Sequence, residues 1–145
     1  MENKIYWFTG QSGSGKTTLA NLLKKTLNNS INVDGDDLRE VFMNKDYSEQ
    51  GRRLNIQRAQ DISLFLKNKG FNVIVSLVSP YKDQRDSFKN DDLIEIYVHT
   101  TNIRGREDFH VNYEKPIENF IDIDTTDKTE NSTFVELLEK LKKYE

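Results

Sequence analysis

Gly10-Gln11-Ser12-Gly13-Ser14-Gly15-Lys16-Thr17 is a complete G-x-x-x-x-G-K-[ST] loop, preceded directly by the apolar run Ile5-Tyr6-Trp7-Phe8 and followed by a helical pattern from Thr18 to Leu27. Strand, glycine-rich turn and helix in that order form the context in which this motif holds phosphate. Glycines let successive backbone N–H groups turn inward around phosphate oxygens, where a side chain would block the approach. Lys16 supplies a compact positive charge for the β- and γ-phosphates, and Thr17 a hydroxyl for Mg²⁺. The helix beginning near Gly15 points the positive end of its dipole at the same anion. The expected nucleotide-binding set is Gly10, Ser12, Gly13, Ser14, Gly15, Lys16, Thr17 and Thr18. The alternative, a Gly/Ser-rich turn matching by accident, is disfavoured by the flanking strand and helix.

At 145 residues and 35% hydrophobic, the chain has apolar surface for one core, so a single domain over residues 1–145 is expected. Lys+Arg 21 against Asp+Glu 24 leaves a net charge of −3, which argues against a general nucleic-acid binder. Positive charge is nevertheless uneven. All seven arginines (Arg39, Arg52, Arg53, Arg58, Arg85, Arg104, Arg106) lie in the middle of the chain, while the ends use lysine. Arginine forks bind phosphate and sulfate bidentately, so the bias points to a second anion site, although any single arginine reads equally as solvated surface. With no cysteine, a disulfide framework and cysteine-based metal or nucleophile sites are excluded. Neither a signal peptide nor a membrane-length apolar run is visible, so no membrane partner and a cytoplasmic location are expected.

Walking outward from the loop, strands are expected at Ile5 to Thr9, Ile31 to Asp34, Phe71 to Val78, Leu93 to Val98 and Phe120 to Ile123. Helices are expected at Lys16 to Leu27, Asp36 to Met43 and roughly Gln50 to Lys69, the last with Leu54, Ile62, Phe65 and Leu66 buried and Gly70 as its stop. Thr133-Phe134-Val135-Glu136 reads as a capping box opening a C-terminal helix with Val135, Leu138 and Leu141 inward. Alternating strands and helices predict an α/β three-layer fold of the P-loop type: a mostly parallel sheet, helices on both faces and ligands at the carboxyl ends of the strands.

Other segments narrow the chemistry. Asn44-Lys45-Asp46-Tyr47 lacks the fourth-position Asp of a guanine-reading Asn-Lys-x-Asp and sits too early. Val73-Ile74-Val75 is followed by Ser76 and Leu77, without the acid that motor and transporter ATPases place after a buried strand. The acids instead follow strand two, as Asp34-Gly35-Asp36-Asp37, where small-molecule kinases put a carboxylate facing the γ-phosphate from the acceptor side. The competing reading is an Asp-Gly turn with a helix N-cap at Asp36, which accounts for Asp36 and Asp37 but less well for Asp34.

Taken together the chain resembles the adenylylsulfate kinase family. The resemblance runs through Phe8 to Ala20, Val33-Asp-Gly-Asp-Asp-Leu-Arg39, Tyr47-Ser48 with Arg52 and Asn55, and Val75-Ser-Leu-Val-Ser-Pro-Tyr81 with Arg85-Asp86. It continues through Tyr113-Glu114-Lys115-Pro116 and Ile121-Asp-Ile-Asp-Thr125, nearly the whole length. The resemblance implies transfer of the γ-phosphoryl group of ATP to the ribose 3′-hydroxyl of adenylyl sulfate. It implies Lys16 and Asp34 as catalytic groups, with Asp34 as general base or, beside Thr17, a Mg²⁺-side carboxylate. Arg39, Arg52 and Asn55 would hold the acceptor's anionic end and ribose, with Ser79, Pro80 and Tyr81 lining its base pocket. At spacing i, i+3, Arg52 and Asn55 also fit a merely wet helix face. The expected partners are ATP and a small anionic nucleotide-like acceptor; a homodimer is left open.

The chain departs from the family pattern between Thr100 and Tyr113, which is too short for the usual Lys-Gly-Leu-Tyr and Asn-Phe-Thr-Gly stretches of a lid. Arg104, Arg106 and Phe109 read as a reduced lid or as plain loop. Gly51 and Gln57 stand where an aspartate and an arginine are expected, both taken to touch the acceptor side. Two alternatives therefore accompany the adenylyl sulfate reading: a kinase acting on another nucleotide-linked anion, such as a cytidine diphosphate derivative, and a non-catalytic nucleotide-binding module.

Overall fold

Short β-branched and aromatic runs that alternate between two buried faces build one parallel sheet. In the computed structural model, which describes residues 3–102 and 111–145, the strands are β1 (Ile5–Thr9), β2 (Ser30–Asp34), β3 (Asn72–Ser76), β4 (Leu93–His99) and β5 (Ile121–Asp124). Their order is β2-β3-β1-β4-β5, every neighbouring pair parallel. Helices α1 (Lys16–Thr26), α2 (Gly35–Val41), α3 (Glu49–Asn68) and α4 (Lys82–Phe88) connect β1 through β4, and α5 (Glu130–Leu141) follows β5, with a closing 3₁₀ turn at Lys142–Tyr144. Because β1 is central, between β3 and β4, the loop after it opens at the carboxyl edge where the strand order reverses, the favoured ligand position in such sheets.

Each face has its own core. Phe8, Ile74, Ile96, Val98 and Ile123 pack with Leu19, Ala20 and Leu23 of α1 and Leu137 of α5. On the opposite face Ile5, Trp7, Val73 and Val75 meet Leu38 of α2, Ile56 and Ala59 of α3, and Phe88 just inside the end of α4. Burying each large aliphatic side chain contributes about 1.5–3 kcal/mol before chain entropy is counted. Among the described residues no helix is long and apolar enough to cross a membrane.

The layers and strands agree with expectation; three details of the helices do not. Leu54 and Phe65 are exposed, and α3 buries Gly51, Asn55, Ile56, Ala59, Gln60 and Ser63 instead. Small and polar side chains face inward, where their amide donors find carbonyls: Asn55 Nδ2 donates to Gly35 O (3.2 Å) and Gln60 Nε2 to Gln84 O (3.1 Å). Helix α5 starts a turn earlier than the Thr133 capping box implies. Thr129 is its N-cap, its Oγ1 accepting from Ser132 N at 3.1 Å, while Thr133 is buried and Val135 exposed. Helix α4 carries no apolar stripe that sequence periodicity could detect; Tyr81, Arg85 and Phe88, spaced along one face, tie it down. Strand β3 stops at Ser76, before Pro80, because the chain bends to bring Val78 O to Gly10 N (3.3 Å) and to Thr9 Oγ1 (2.8 Å).

Candidate active site

The loop between β1 and α1 is shaped by contacts at its back. Gly10 has φ 145°, and a Cβ there would lie 2.0 Å from Val98 O, so the turn admits no larger residue. Thr125, just past β5, donates its hydroxyl to Ser14 O (2.8 Å) while its own N–H bonds His99 O (2.8 Å). Helix α1 begins after Gly15 with no side-chain cap and no acid in its first turn. By contrast α2, α3 and α5 are capped by Asp34, Ser48 and Thr129, and Lys82 N at the start of α4 donates to Glu114 Oε1 at 2.8 Å. An uncapped, acid-free helix start facing a cleft is suited to an anion. Lys16 is buried at its foot, with Nζ donating to Gln11 O at 2.8 Å.

A cleft of ≈ 1140 Å³ opens over this loop. Ser12 to Thr18 line one wall, and Asp34, Arg39, Arg52, Asn55, Ser79 and Pro80 line the other, so most of the expected site residues are brought together. Two are not. Gly10 lies beneath the loop, its N–H committed to Val78 O. Tyr81 does not reach the cleft; its ring packs in the second core and carries the Arg53 guanidinium 4.2 Å above it, so the expected base-pocket role gives way to packing.

Asp34 closes β2, beside Ser76 of β3. It, not Asp36, is the N-cap of α2, with Oδ1 accepting from Asp36 N at 2.8 Å. Capping therefore accounts for Asp34 best, the reverse of expectation. Burial pushes its carboxyl above the ordinary range; the Asp36 N–H opposes this, and the charges of Asp36 and Asp37 reinforce it. Thr17 and Asp34 offer one hydroxyl and one carboxylate to the cleft, a set that fits Mg²⁺ completed by phosphate oxygens and water. No cluster of three or more His, Cys, Asp or Glu able to hold a metal occurs among the described residues.

The two candidate acceptor arginines differ. Arg39 braces the loop between α2 and α3: Nη1 donates to Asn44 O (3.1 Å) and Asp46 O (3.0 Å), and the guanidinium sits 4.0 Å over the Tyr47 ring. The side chain of Arg52, one turn into α3, makes no hydrogen bond or ion pair among the described residues and leaves its fork to the cleft. Asn55 is 5% exposed; its Nδ2 is engaged, but its Oδ1 has no partner. Of the two departures from the family pattern, Gly51 is explained by packing. A Cβ there would lie 2.1 Å from Asp46 O, so an aspartate would collide with the loop that Arg39 braces. Gln57 is exposed and bonds Asp61 Oδ1 (3.0 Å), away from the cleft, so it bears on no substrate wall. Arg104, Arg106 and Phe109 lie outside the described residues.

Sequence reasoning missed three contributors. Tyr47 presents a half-exposed ring at the cleft. Gln11 holds Val111, with Nε2 donating to Val111 O (2.5 Å) and Oε1 accepting from Val111 N (3.4 Å), and Thr125 supports the loop from behind. The last two join segments about a hundred residues apart, which no local pattern reveals.

Residues 2–131 match the family model described as adenylylsulphate kinase. An adenylyl-sulfate kinase of Burkholderia ambifaria is 39% identical over 104 residues, 65% of this chain and 57% of that protein. A probable adenylyl-sulfate kinase of Halalkalibacterium halodurans is 32% identical over 157 aligned positions, covering 88% of this chain and 75% of that one. The chain spans about half the length of several curated relatives it matches. Among solved structures, the APS kinase CysC of Mycobacterium tuberculosis, in complex with AMPPNP and APS, superposes with a TM-score of 0.77 at 23% identity, over 97% of this chain and 98% of that one. That likeness is one of fold.

Proposed function

From the premise that the chain belongs to the adenylylsulphate kinase family, we propose that it is an ATP-dependent kinase that phosphorylates the ribose 3′-hydroxyl of adenylyl sulfate, working as one domain. The observation that carries the reading is convergence: an intact phosphate loop and a half-buried carboxylate with raised proton affinity share one cleft with a guanidinium, that of Arg52, which no described residue engages. Phosphoryl transfer depends on positioning and charge stabilisation more than on covalent chemistry.

Lys16 and the start of α1 hold the donor phosphates. Asp34 accepts the proton of the attacking hydroxyl or orients it, and its raised proton affinity suits that task. Arg52 and Asn55 Oδ1 face the acceptor's anionic end and ribose, while Tyr47 offers a ring for its base. Bound Mg²⁺, held by Thr17 and Asp34, would neutralise charge on the phosphate oxygens. The test is a coupled ADP-release screen of the purified protein against adenylyl sulfate and a panel of nucleotides and nucleotide-linked anions, cytidine diphosphate derivatives included. Adenylyl sulfate should give the highest kcat/KM. Preference for another acceptor would move the chain to a divergent specificity, and release with none would make it a binding module.

A further inference from the structure

Behind the Ser79–Pro80 wall lies a charged cluster that the reaction itself does not use. Arg85 of α4 and Glu95 of β4 each have side chains only 1% exposed, with Arg85 Nε 3.8 Å from Glu95 Oε2. Glu95 stands beside Trp7 in the sheet register, on the face covered by α4. A second cation, Lys89, reaches Glu95 Oε1 at 3.6 Å. Both cations also grasp the segment that returns from residue 111 toward β5. Arg85 Nη1 donates to Ser79 O (2.6 Å) and Nη2 to Glu114 O, while Lys89 Nζ donates to Glu118 O (2.9 Å) and Asn119 O (3.1 Å). Glu114 closes the circuit, its N–H donating to Pro80 O (3.0 Å). The Tyr113 ring lies 5.1 Å from the guanidinium, and its hydroxyl pairs with Thr9 Oγ1 at 2.7 Å.

As a stabilising device this pair is poor. Arg85 Nε and Glu95 Oε1 are buried without hydrogen bonds, and burial raises the Glu95 carboxyl above its ordinary range against the pull of Lys89 and Arg85. Desolvating two such groups costs several kcal/mol that an imperfect pair returns only in part, so an apolar pair would serve the core better. What an apolar pair could not do is hold Ser79 O. Ser79 sits at φ 42°, uncommon for a residue other than glycine, and its Oγ is occupied by Trp7 Nε1 at 2.9 Å. We infer that Arg85, oriented by Glu95, is a positioning residue: it clamps the Ser79–Pro80 wall of the cleft to the Tyr113–Pro116 segment and so sets the shape of the acceptor side. The inference rests on the kinase reading above for which substrate that wall faces, but not for the clamp itself.

Arg85→Lys keeps the charge and loses the fork; Glu95→Gln keeps the shape and loses the charge. Each variant is compared with wild type in steady-state kinetics, thermal unfolding and backbone hydrogen exchange of peptides spanning 77–81 and 111–116. Arg85→Lys should raise the acceptor KM roughly tenfold, the order expected for a lost charge-assisted hydrogen bond, with the ATP KM within twofold and faster exchange confined to those two peptides. Glu95→Gln should shift the same quantities less. Equal rises in both KM values, or a lowered Tm with an unchanged acceptor KM, would overturn the inference in favour of a merely structural pair. Hydrogen exchange needs no turnover. If wild type does not phosphorylate adenylyl sulfate, the acceptor reading fails alone when 77–81 still exchanges faster in Arg85→Lys, and the clamp fails when it does not.

Discussion

The two walls of the cleft are built by opposite strategies. The wall proposed for the donor comes from one contiguous stretch, Ser12 to Thr18, whose turn and uncapped helix start suit binding through main-chain N–H groups. The wall proposed for the acceptor is assembled from the end of β2, the α2–α3 corner, the first turns of α3 and the bend after β3, and its candidate contacts are side chains. Backbone groups cannot be substituted away, so a phosphate loop tolerates change outside its glycines and lysine. Side chains on four segments can be exchanged singly, and each is held by its own neighbours. The difference teaches why the phosphate loop of this chain is easier to recognise in the sequence than the residues proposed to face an acceptor.

That contrast can be broken most sharply at Lys16. Lys16→Ala should lower turnover by roughly the 10³–10⁵ that a lost charge at the transferring phosphoryl group costs, with both acceptor and ATP kinetics affected. Near-normal turnover in a coupled ADP assay would remove the loop from catalysis.

Asp34 lines the wall opposite the phosphate loop, and its capping role and its proposed role as base separate by substitution. Asp34→Asn keeps a good N-cap but loses the base, so turnover should fall roughly 10²–10⁴-fold while the fold persists. Asp34→Ala should lose the cap as well, at about 1 kcal/mol of stability measured by urea unfolding. The pH behaviour has a definite sign. Because the folded-state pKa is raised, the neutral carboxyl favours folding at low pH, and this contribution is lost as pH rises through the folded value. Asp34→Asn should therefore be at least as stable as wild type at neutral pH, and that advantage should vanish on acidification below the ordinary carboxylate pKa. In wild type the acid limb of kcat/KM should lie above the usual carboxylate range.

The acceptor wall alone is probed by its two arginines. Arg52→Ala should raise the acceptor KM roughly tenfold to a hundredfold at constant ATP KM and constant Tm, since its fork is uncommitted among the described residues. Arg39→Ala should instead couple a smaller KM effect to a lowered Tm, because it braces Asn44 O and Asp46 O. Indistinguishable variants would refute the division of labour drawn here.

Gly51→Ala gives the smallest expected effect on chemistry. Its Cβ meets Asp46 O at 2.1 Å, so Tm should fall by several degrees, with the acceptor KM rising slightly as the loop shifts. Unchanged thermal unfolding would show that the loop yields freely.

How much was legible varies element by element. The strands and α1 could be read because a covered parallel strand must be apolar along its length and a phosphate loop must carry glycine at set positions. Helix α3 misled because its inward face is small and polar, and hydrophobic periodicity assumes that the largest side chains face the core. Asp36 looked like the cap because Asp-Gly suggests a turn, whereas the helix starts one residue after Asp34.

By itself the sequence determined the α/β layering, the phosphate loop and the family, since each rests on local spacing of residue types. Only the tertiary structure decided that Tyr81 packs in the core and Tyr47 faces the cleft, that Arg39 is committed and Arg52 is not, and that Arg85 and Glu95 stand behind the wall. Those distinctions depend on contacts between segments distant in the chain, set jointly by packing and by where each buried polar group finds its partner.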